Sequence, residues 1–558
     1  MPVKRSTQQQ VGFTGARWQL HGQRDPNTAT WLNNLVPREH TVPSSLIHRP
    51  AIYAVNSITG ATGAVQAITE TYFGGTSPVI VALIAGQIWT KTAAGAWTLR
   101  VTTANFTTAT ISIVNTTYWL HVVEYNGELV FTDNTNQAWS WDGTAGAGGL
   151  TLLTNTPATT VGAPTVYYGK LFFIKSGNTI VWSEENAANT GYEATGYNNA
   201  WDLKQTDDAP IRAILGTEGA LYFWRPTSIG YVTGSVTPDF ASTGVQDGVS
   251  TQVGISSAWS LSWDGTTAYF ADQRGKPWAM RDRQLIPLWE QIAPIWSDQR
   301  VLFDDDDDHV AAVVANAPVY PAFTRSIIHP VSGHVLFLFP VTASGTVLTG
   351  VGTATYGCAF AFSTTTLQWH GMWSWGDATI NNLGVATEYA SATQVYPGLV
   401  VAATGASPAK VVYWNARLLS GGLVDNVTAA ANYSTARLIS GPLNWGPLWK
   451  VNCDQVHVVY AGPQITGANY STRLKVRALS PDVASDALAP TYLSQTFTAS
   501  GTYLEESRAF GVSQSGRWIM VDVEIATLLN GNLNALQDTE LIGVAAELSD
   551  PTLETARR

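Results

Sequence analysis

The sequence predicts an all-β protein: a β-propeller of six or seven blades with an additional β-rich platform domain from the N- and C-terminal segments. One observation is a recurring hairpin-like segment, in which an apolar run, a turn glycine and an aromatic-rich run follow one another. Most copies are spaced by about 40–50 residues, which is typical of propeller blades. A second observation is that sustained 3.6-residue periodicity, the signature of amphipathic helices, is nearly absent.

The repeat is clearest in VIVALIAGQIWT and HVVEYNGELVFT, where the turn glycines are Gly86 and Gly127. The other copies centre on Gly169, Gly219, Gly265, Gly333 and Gly405. The last two gaps are longer than the rest, which indicates insertions. We therefore assign residues 51–420 to the propeller, closed by pairing strands that are distant in sequence.

The two flanking segments lack this spacing. Residues 1–50 are polar and irregular, and WLNNLVPREH is consistent with one helical turn. Residues 421–558 keep long alternating strands such as GRWIMVDVEIA, in which apolar residues interleave with Asp522 and Glu524. Such alternation predicts a half-exposed antiparallel sheet. We expect residues 1–50 to join residues 421–558 in the platform.

The composition and net charge indicate which kinds of partner the chain has. Only 13% of the 558 residues are charged, against about a quarter in an average domain, while Trp numbers 22 and Gly 49. So few charges predict an oligomer or large assembly; the alternative is a monomer with a surface rich in Thr, Ser and Asn. The net charge of −11 argues against a nucleic-acid clamp, which needs a basic stripe, but not against DNA passing by.

Targeting and covalent features are sparse. Cys358 and Cys453 are the two cysteines, too few for a disulfide framework or a zinc site. The start MPVKRSTQQQVGF has no apolar core of a signal peptide, and the apolar stretch near Val79–Ile88 is too short to span a bilayer. We expect a soluble chain made in a cytoplasm, with no membrane-spanning segment.

Catalytic signatures are missing from the sequence. It contains no GKS or GKT phosphate loop, no HExxH and no G-x-S-x-G elbow. Glu184 and Glu185 are adjacent in a predicted strand, so they point to opposite faces and cannot act as an acid/base pair. Strand histidines are more often structural than ligands. We predict no enzyme activity and no cofactor.

The segment SWDGT occurs twice, at Ser140–Thr144 and Ser262–Thr266. It resembles the hairpin box of sialidase propellers, but one residue is missing between Asp and Gly in both copies. Asp-Gly is also a strong two-residue hairpin signal, and we interpret both copies as turns.

The sharpest charge cluster is an uninterrupted run of five carboxylates. It consists of Asp304, Asp305, Asp306, Asp307 and Asp308. Adjacent like charges repel and favour a solvated loop. The run lacks the spacing and turn glycine of a calcium loop, so no obligatory metal is predicted, although a divalent ion is an alternative. A third alternative is a channel lining, with one such loop from each subunit of a ring.

The central part of the chain resembles the tail nozzle of short-tailed phages, the family of tail tubular protein B and the packaged-DNA stabilisation proteins. Three stretches follow the family's order, beginning YYGKLFFIK, NNAWDLKQ and GVSTQVGIS. The positions that carry the resemblance are Trp182, Ser183, Glu184, Asn186, Trp201, Ile229, Val232, Gly234, Gly248, Gly254 and Phe270. Arg49 and Pro50 match the family's entry motif, but Ala51 replaces its glycine. The pattern is diffuse and covers about residues 15–550.

The resemblance implies a virion protein, made in the host cytoplasm, that forms the distal DNA channel of a phage tail. Members of the nozzle family form homohexameric rings that bind a portal adaptor ring, and tail fibres or a tail needle are further partners. They retain packaged genomic DNA, let it pass during ejection and do not bind it sequence-specifically. One alternative is a propeller-based tail protein that binds or hydrolyses glycans; another is a minor tail protein of a long-tailed phage.

Overall fold

The chain is described by a computed structural model. It describes residues 6–10, 31–33, 35–37, 46–48, 51–53, 58–92, 96–112, 119–175, 177–193, 198–203, 209–236, 240–296, 313, 316–330, 332–344, 353–374, 380–391, 394–403, 411–415, 436–440, 443, 451–461, 470–479, 491–498, 505–516, 519–529, 532–534 and 540–549. Within these ranges the protein is all-β, with many antiparallel four-stranded sheets, and no helix has the length and apolarity to cross a bilayer.

Five short strands begin the chain. They are β1 (Ser6–Gln10), β2 (Trp31–Asn33), β3 (Leu35–Pro37), β4 (Leu46–His48) and β5 (Ala51–Tyr53). β3 pairs with its neighbour β4, whereas β1, β2, β4 and β5 each pair with a strand far along the sequence. The helical turn expected in WLNNLVPREH is wrong for its described residues, since Trp31–Asn33 and Leu35–Pro37 are strands. Pairing across strands decides the conformation of this segment: β2 pairs with two distant strands, and β3 pairs with β4, none of which a local pattern encodes.

Antiparallel sheets of four or five strands then follow one another. The first is β6 (Val65–Thr71), β7 (Val79–Ile84), β8 (Gln87–Thr92) and β9 (Thr98–Val101), and the second is β10 (His121–Tyr125), β11 (Glu128–Thr132), β12 (Trp139–Trp141) and β13 (Leu150–Leu152). The third is β14 (Thr160–Tyr167), β15 (Lys170–Lys175), β16 (Thr179–Glu184), β17 (Ala187–Gly191) and β18 (Ala200–Asp202). The fourth is β19 (Ala213–Gly216), β20 (Leu221–Trp224), β21 (Ile229–Thr233) and β22 (Val245–Ser250), and the fifth is β23 (Ser262–Trp263), β24 (Thr267–Ala271), β25 (Pro277–Arg281) and β26 (Gln284–Pro287).

Two further sheets complete the series. One begins with β27 (Arg325–Ile328) and β28 (His334–Leu338), is interrupted by the hairpin β29 (Thr342–Ser344) and β30 (Thr353–Thr355), and continues with β31 (Cys358–Ser363) and β32 (Gln368–Ser374). The other is β33 (Ile380–Ser391), β34 (Gln394–Ala403) and β35 (Val411–Asn415), with β5 as its fourth strand. The short helices are α1 (Thr103–Thr108), α2 (Phe240–Thr243) and the 3₁₀ segments Ala147–Gly149, Ala258–Ser260, Trp289–Trp296 and Pro321–Phe323.

All seven repeated segments form hairpins, as predicted, because the strands on either side of each turn pair antiparallel. In the turns Asn126–Gly127 and Tyr168–Gly169 both residues have positive φ, which is the type I′ geometry that matches strand twist. Gly405 itself lies outside the described residues, but its flanking strands β34 and β35 pair.

Neighbouring sheets pack face to face through apolar side chains. Val81 and Leu83 of the first sheet share one core with Phe131 and Trp141 of the second. The first strand of each of these sheets also contacts the first strand of the next one: β6 contacts β10, β10 contacts β14 and β14 contacts β19. At the end of the series, β33 lies against β6.

The C-terminal strands form two sheets around a separate core. They are β36 (Ala436–Ile439), β37 (Val451–Ala461), β38 (Tyr470–Leu479), β39 (Leu493–Thr498), β40 (Glu505–Gly516), β41 (Met520–Leu529), β42 (Asn532–Asn534) and β43 (Glu540–Ser549). One sheet runs β3-β4-β43-β37-β40 with β1 on β43; the other runs β2-β36-β41-β38-β39 with β42 on β41. Because β2 also pairs in parallel with β32, the second sheet is continuous with that of β27.

Candidate functional site

Buried and half-buried polar and aromatic side chains from several sheets meet, most of them near the start of the first strand of a sheet. We call this group the central cluster; its members are Trp119, His121, Trp259, Arg325, Tyr356 and Asn382. His121 begins β10, Arg325 begins β27 and Asn382 lies in β33, while Trp259 lies in the 3₁₀ segment Ala258–Ser260 before β23. The cluster therefore joins sheets that are far apart in sequence.

The rings of the central cluster are closely packed. The His121 imidazole stacks on the Trp259 indole with ring centroids 3.7 Å apart and planes 18° from parallel. Trp119 meets Trp259 edge to face at 5.4 Å and stacks on Tyr356 at 6.1 Å. The Tyr356 hydroxyl donates to the Phe323 carbonyl at 2.6 Å. These contacts fix the orientation of each ring.

Arg325 supplies the positive charge of the cluster. Its guanidinium carbon lies 4.8 Å from the Trp119 ring centroid and 5.0 Å from that of Trp259, both within cation–π range. Nη1 donates to Asn382 Oδ1 at 2.9 Å, and Asn382 Nδ2 donates to the Val65 carbonyl at 3.0 Å. Arg325 thus links β27 through β33 to β6.

The electrostatics follow from burial. Arg325 is 8% exposed, and desolvation lowers its pKa, while Tyr356 acts in the opposite direction. Desolvation, followed by the charge of Arg325, lowers the pKa of His121 to about 3. His121 is therefore neutral at physiological pH, whereas a guanidinium keeps its proton.

A second buried group consists of histidines at one end of the sheet of β27, β28, β31 and β32. His334 Nε2 lies 2.7 Å from His370 Nδ1, and His370 Nε2 lies 3.1 Å from Thr366 Oγ1. The His334 ring centroid is 4.9 Å from that of Trp373. His329 lies nearby, and its Nδ1 accepts from the Ser332 amide at 3.2 Å. In the ranges given above, no His, Cys, Asp or Glu side chains group as metal ligands.

A third group is a ladder of charges on one face of the C-terminal sheet. Arg437 and Arg477 both donate to Asp522, and the Tyr492 hydroxyl donates to the same carboxylate at 2.8 Å. Beside it, Glu524 accepts from Arg473 at 3.2 Å and from Lys475 at 3.0 Å. The expectation of a half-exposed sheet is wrong here, because Asp522 is 0% and Glu524 3% exposed.

The residues singled out from sequence do not form one site. Asp304, Asp305, Asp306, Asp307 and Asp308 lie outside the described residues. The predicted solvated loop without an obligatory metal therefore stays a prediction, and the channel-lining and divalent-ion alternatives stay open. Cys358 and Cys453 are buried, and neither forms a disulfide.

Glu184 forms an ion pair with Lys170 at 3.7 Å and accepts from Asn199 at 2.8 Å, which ties together strands of one sheet. The two SWDGT segments are turns, but longer than the two-residue hairpins expected. Asp264 Oδ1 accepts from the amides of Thr266 and Thr267, and Asp142 Oδ1 accepts from that of Thr144.

Sequence reasoning missed the central cluster. Trp119, Trp259 and Arg325 are separated by long stretches, and no short motif connects them. Their position in the repeat could have revealed them, since each residue precedes or begins the first strand of its repeat.

No protein-family model and no curated protein matches this chain. Among solved structures, it is similar to a chain of a mitotic checkpoint complex, with 6% identity, a TM-score of 0.37, and coverage of 68% of this chain and 95% of that one. It is also similar to the computationally designed protein Ika8, with 10% identity, a TM-score of 0.31 and coverage of 65% and 99%. BBS1N in complex with ARL6DN matches with 12% identity, a TM-score of 0.31 and coverage of 70% and 94%. Likenesses of this strength carry no argument about function.

Proposed function

We propose that this chain is a structural virion protein, the tail nozzle of a short-tailed phage, and that its repeated sheets close into a seven-bladed propeller. Two contacts support closure. The N-terminal strand β5 supplies the fourth strand of the last sheet, with Tyr53 opposite Tyr413. The first strand of that sheet, β33, contacts β6 of the first sheet through the hydrogen bond from Asn382 to Val65.

The observation that carries the proposal is the sheet shared by the propeller and the C-terminal strands. It runs β27-β28-β31-β32-β2-β36-β41-β38-β39, so backbone hydrogen bonds connect a propeller blade directly to the platform. The junction is the parallel pair of Asn33 with Met372, so a sheet joins the two parts in addition to the chain between them. A tail component that holds DNA under pressure needs parts that are connected at more than one point.

The remaining features are compatible with a ring around DNA. A net charge of −11 disfavours adhesion to phosphates, and the low charged fraction leaves apolar and aromatic surface for contacts between subunits. We propose that six copies form the ring and that the platform binds the portal adaptor. Tail fibres or a needle would attach to the distal part, and DNA would pass without sequence-specific contacts.

Native mass and electron microscopy test this function. The purified chain, alone or with adaptor, should give a species near six times 59.9 kDa and six-fold rings in negative stain. Antibody labelling should place it on phage tails. A monomer or trimer that hydrolyses a capsular or cell-wall glycan, with activity abolished by one carboxylate substitution, would favour the glycan-hydrolysing alternative and contradict the nozzle assignment.

A further inference from the structure

We propose that the central cluster is a binding site for a small inorganic anion of the halide class. The inference is independent of the proposed nozzle function, since it concerns what the interior of the propeller holds. It starts from Arg325, which is 8% exposed and whose guanidinium faces two indole rings.

Arg325 has no carboxylate partner in the part of the chain that the structure describes. Its recorded partners are the two indole rings and Asn382, a neutral amide that accepts from Nη1. Buried charges in proteins are generally paired, because an isolated ion loses the solvation that water provides. Cation–π contacts offset a share of this loss but leave the formal charge unneutralised.

The same cluster contains two further polar groups without a hydrogen-bond partner among the described residues. They are the indole Nε1 of Trp259 and the imidazole Nε2 of His121, both completely buried. The two rings stack on each other, and Trp259 is one of the rings that Arg325 faces. Three groups with unused hydrogen-bonding capacity therefore meet around one indole.

The chemistry of these groups selects the ligand. An indole nitrogen donates only, a guanidinium donates only, and a neutral imidazole presents an N–H on whichever nitrogen holds the proton. Trp259 Nε1 and Arg325 supply donors and one positive charge, and His121 adds a third donor in the tautomer that carries the proton on Nε2. Such a site binds an acceptor that is negatively charged. Because the surroundings are the packed aromatic rings of Trp119, Trp259 and Tyr356, a compact monoanion fits better than a polyatomic dianion such as phosphate.

Bromide is the probe for this site, used with the full-length chain. Thermal unfolding would be followed in sodium bromide and in sodium gluconate at equal ionic strength, since gluconate is too large to enter. An anion that binds only the folded state should raise Tm by on the order of 1–2 °C for each tenfold increase in bromide above its Kd. Equal Tm values in the two salts would overturn the proposal.

Variants separate the site from a general salt effect. Arg325→Gln should abolish the bromide response, whereas Arg281→Gln, which removes an exposed arginine, should retain it. Trp259→Phe keeps an aromatic ring but removes one donor, so the bromide concentration that gives half the Tm shift should rise about tenfold. An unchanged response in both cluster variants would contradict the assignment.

A crystal grown in bromide gives a direct test that does not depend on variant stability. An anomalous peak within hydrogen-bond distance of the Arg325 guanidinium supports the site. Its absence at a bromide concentration that saturates the Tm shift would overturn it.

Discussion

Arg437 and Asp522 form a bidentate ion pair, with N–O distances of 2.8 and 2.9 Å, between two side chains that are completely buried. Arg477 adds a third charge-assisted hydrogen bond at 2.8 Å. Burial alone would raise the pKa of Asp522, but the charges and hydrogen bonds of Arg437 and Arg477 outweigh it, so the pKa lies below its ordinary value. The pair ties β36 to β41 within the sheet that also contains β27, β28, β31 and β32.

We expect Asp522→Asn to destabilise the protein strongly. Removing the carboxylate breaks a completely buried ion pair by taking away one partner, which typically costs about 3–5 kcal/mol. Chemical denaturation with a probe in the C-terminal sheets measures the loss. Glu193→Gln is the matched control, because it breaks the exposed ion pair with Lys175 and should change stability by less than about 1 kcal/mol. Equal effects of the two substitutions would show that the buried pair has no special role.

The sequence predicted the strand that carries Asp522 but not the environment of its polar face. Alternation in GRWIMVDVEIA shows that Asp522 and Glu524 share a face, and it places Val521, Val523 and Ile525 in the core of the two C-terminal sheets. Whether water reaches the polar face depends on residues from other strands. Arg437 is 85 positions from Asp522, so no local sequence pattern predicts that the two side chains pair.

Gly384→Ala tests the contact between the last and the first sheets. A Cβ at Gly384 would lie 2.3 Å from the Ile68 carbonyl oxygen, so β33 and β6 would have to separate. Overpacking of this kind typically costs about 1–3 kcal/mol. The measurements are the shift of the thermal unfolding midpoint and the rate of proteolytic cleavage in the paired strands β5 and β35.

The control for this substitution is Gly219→Ala. Gly219 lies in a turn with no atom within 4 Å of an added Cβ, so alanine there should be nearly neutral. If Gly384→Ala unfolds at the same temperature as Gly219→Ala, the sheets do not close through β33 and β6, and the proposed seven-bladed ring is incorrect.

The histidine pair should make stability depend on pH in mildly acidic solution. Desolvation lowers the pKa of His370 to about 4, and desolvation, followed by the charges of His370 and His329, lowers that of His334 well below its ordinary value. Between about pH 4 and 6.5 the unfolded chain therefore binds protons that the folded chain does not, so stability falls as pH falls through this window. Above about pH 6.5 the pair contributes no pH dependence.

His370→Gln should reduce this dependence by up to about 1.4 kcal/mol per pH unit within the window. Urea denaturation at half-unit steps from pH 4.5 to pH 7.5 measures the slope. A slope that is the same in the wild type and in His370→Gln would show that the pair does not control acid stability.

The sequence predicts the repeated hairpins because the turn residues that form a hairpin are adjacent in the chain. A glycine after Asn126 or Tyr168 provides the positive φ that a type I′ turn requires, so each hairpin is encoded within about twelve residues. The sequence does not predict the central cluster, because its residues are far apart in the chain. Trp119, Trp259 and Arg325 acquire their roles only when the first strands of separate sheets come together.

Deleting residues 535–558 tests the role of the platform in assembly. This deletion removes β43, which lies between β37 and the N-terminal strands β4 and β1 and contributes Leu541, Val544, Ala546 and Leu548 to the C-terminal core. Each buried aliphatic side chain of this kind contributes roughly 1.5–3 kcal/mol for Val or Leu, so the two C-terminal sheets should lose their packing. The propeller hairpins, which pair locally, should remain folded.

Hydrogen exchange on the truncated chain should therefore show protection in β6–β26 and its loss in β37 and β40. Native mass should fall from the ring to the single chain, and the truncated protein should fail to join tails in a complementation assay. Deleting only residues 550–558, which follow β43, is the matched control and should preserve both properties. Infectious particles assembled with the chain lacking 535–558 would mean that the platform is not the surface by which this protein enters the tail.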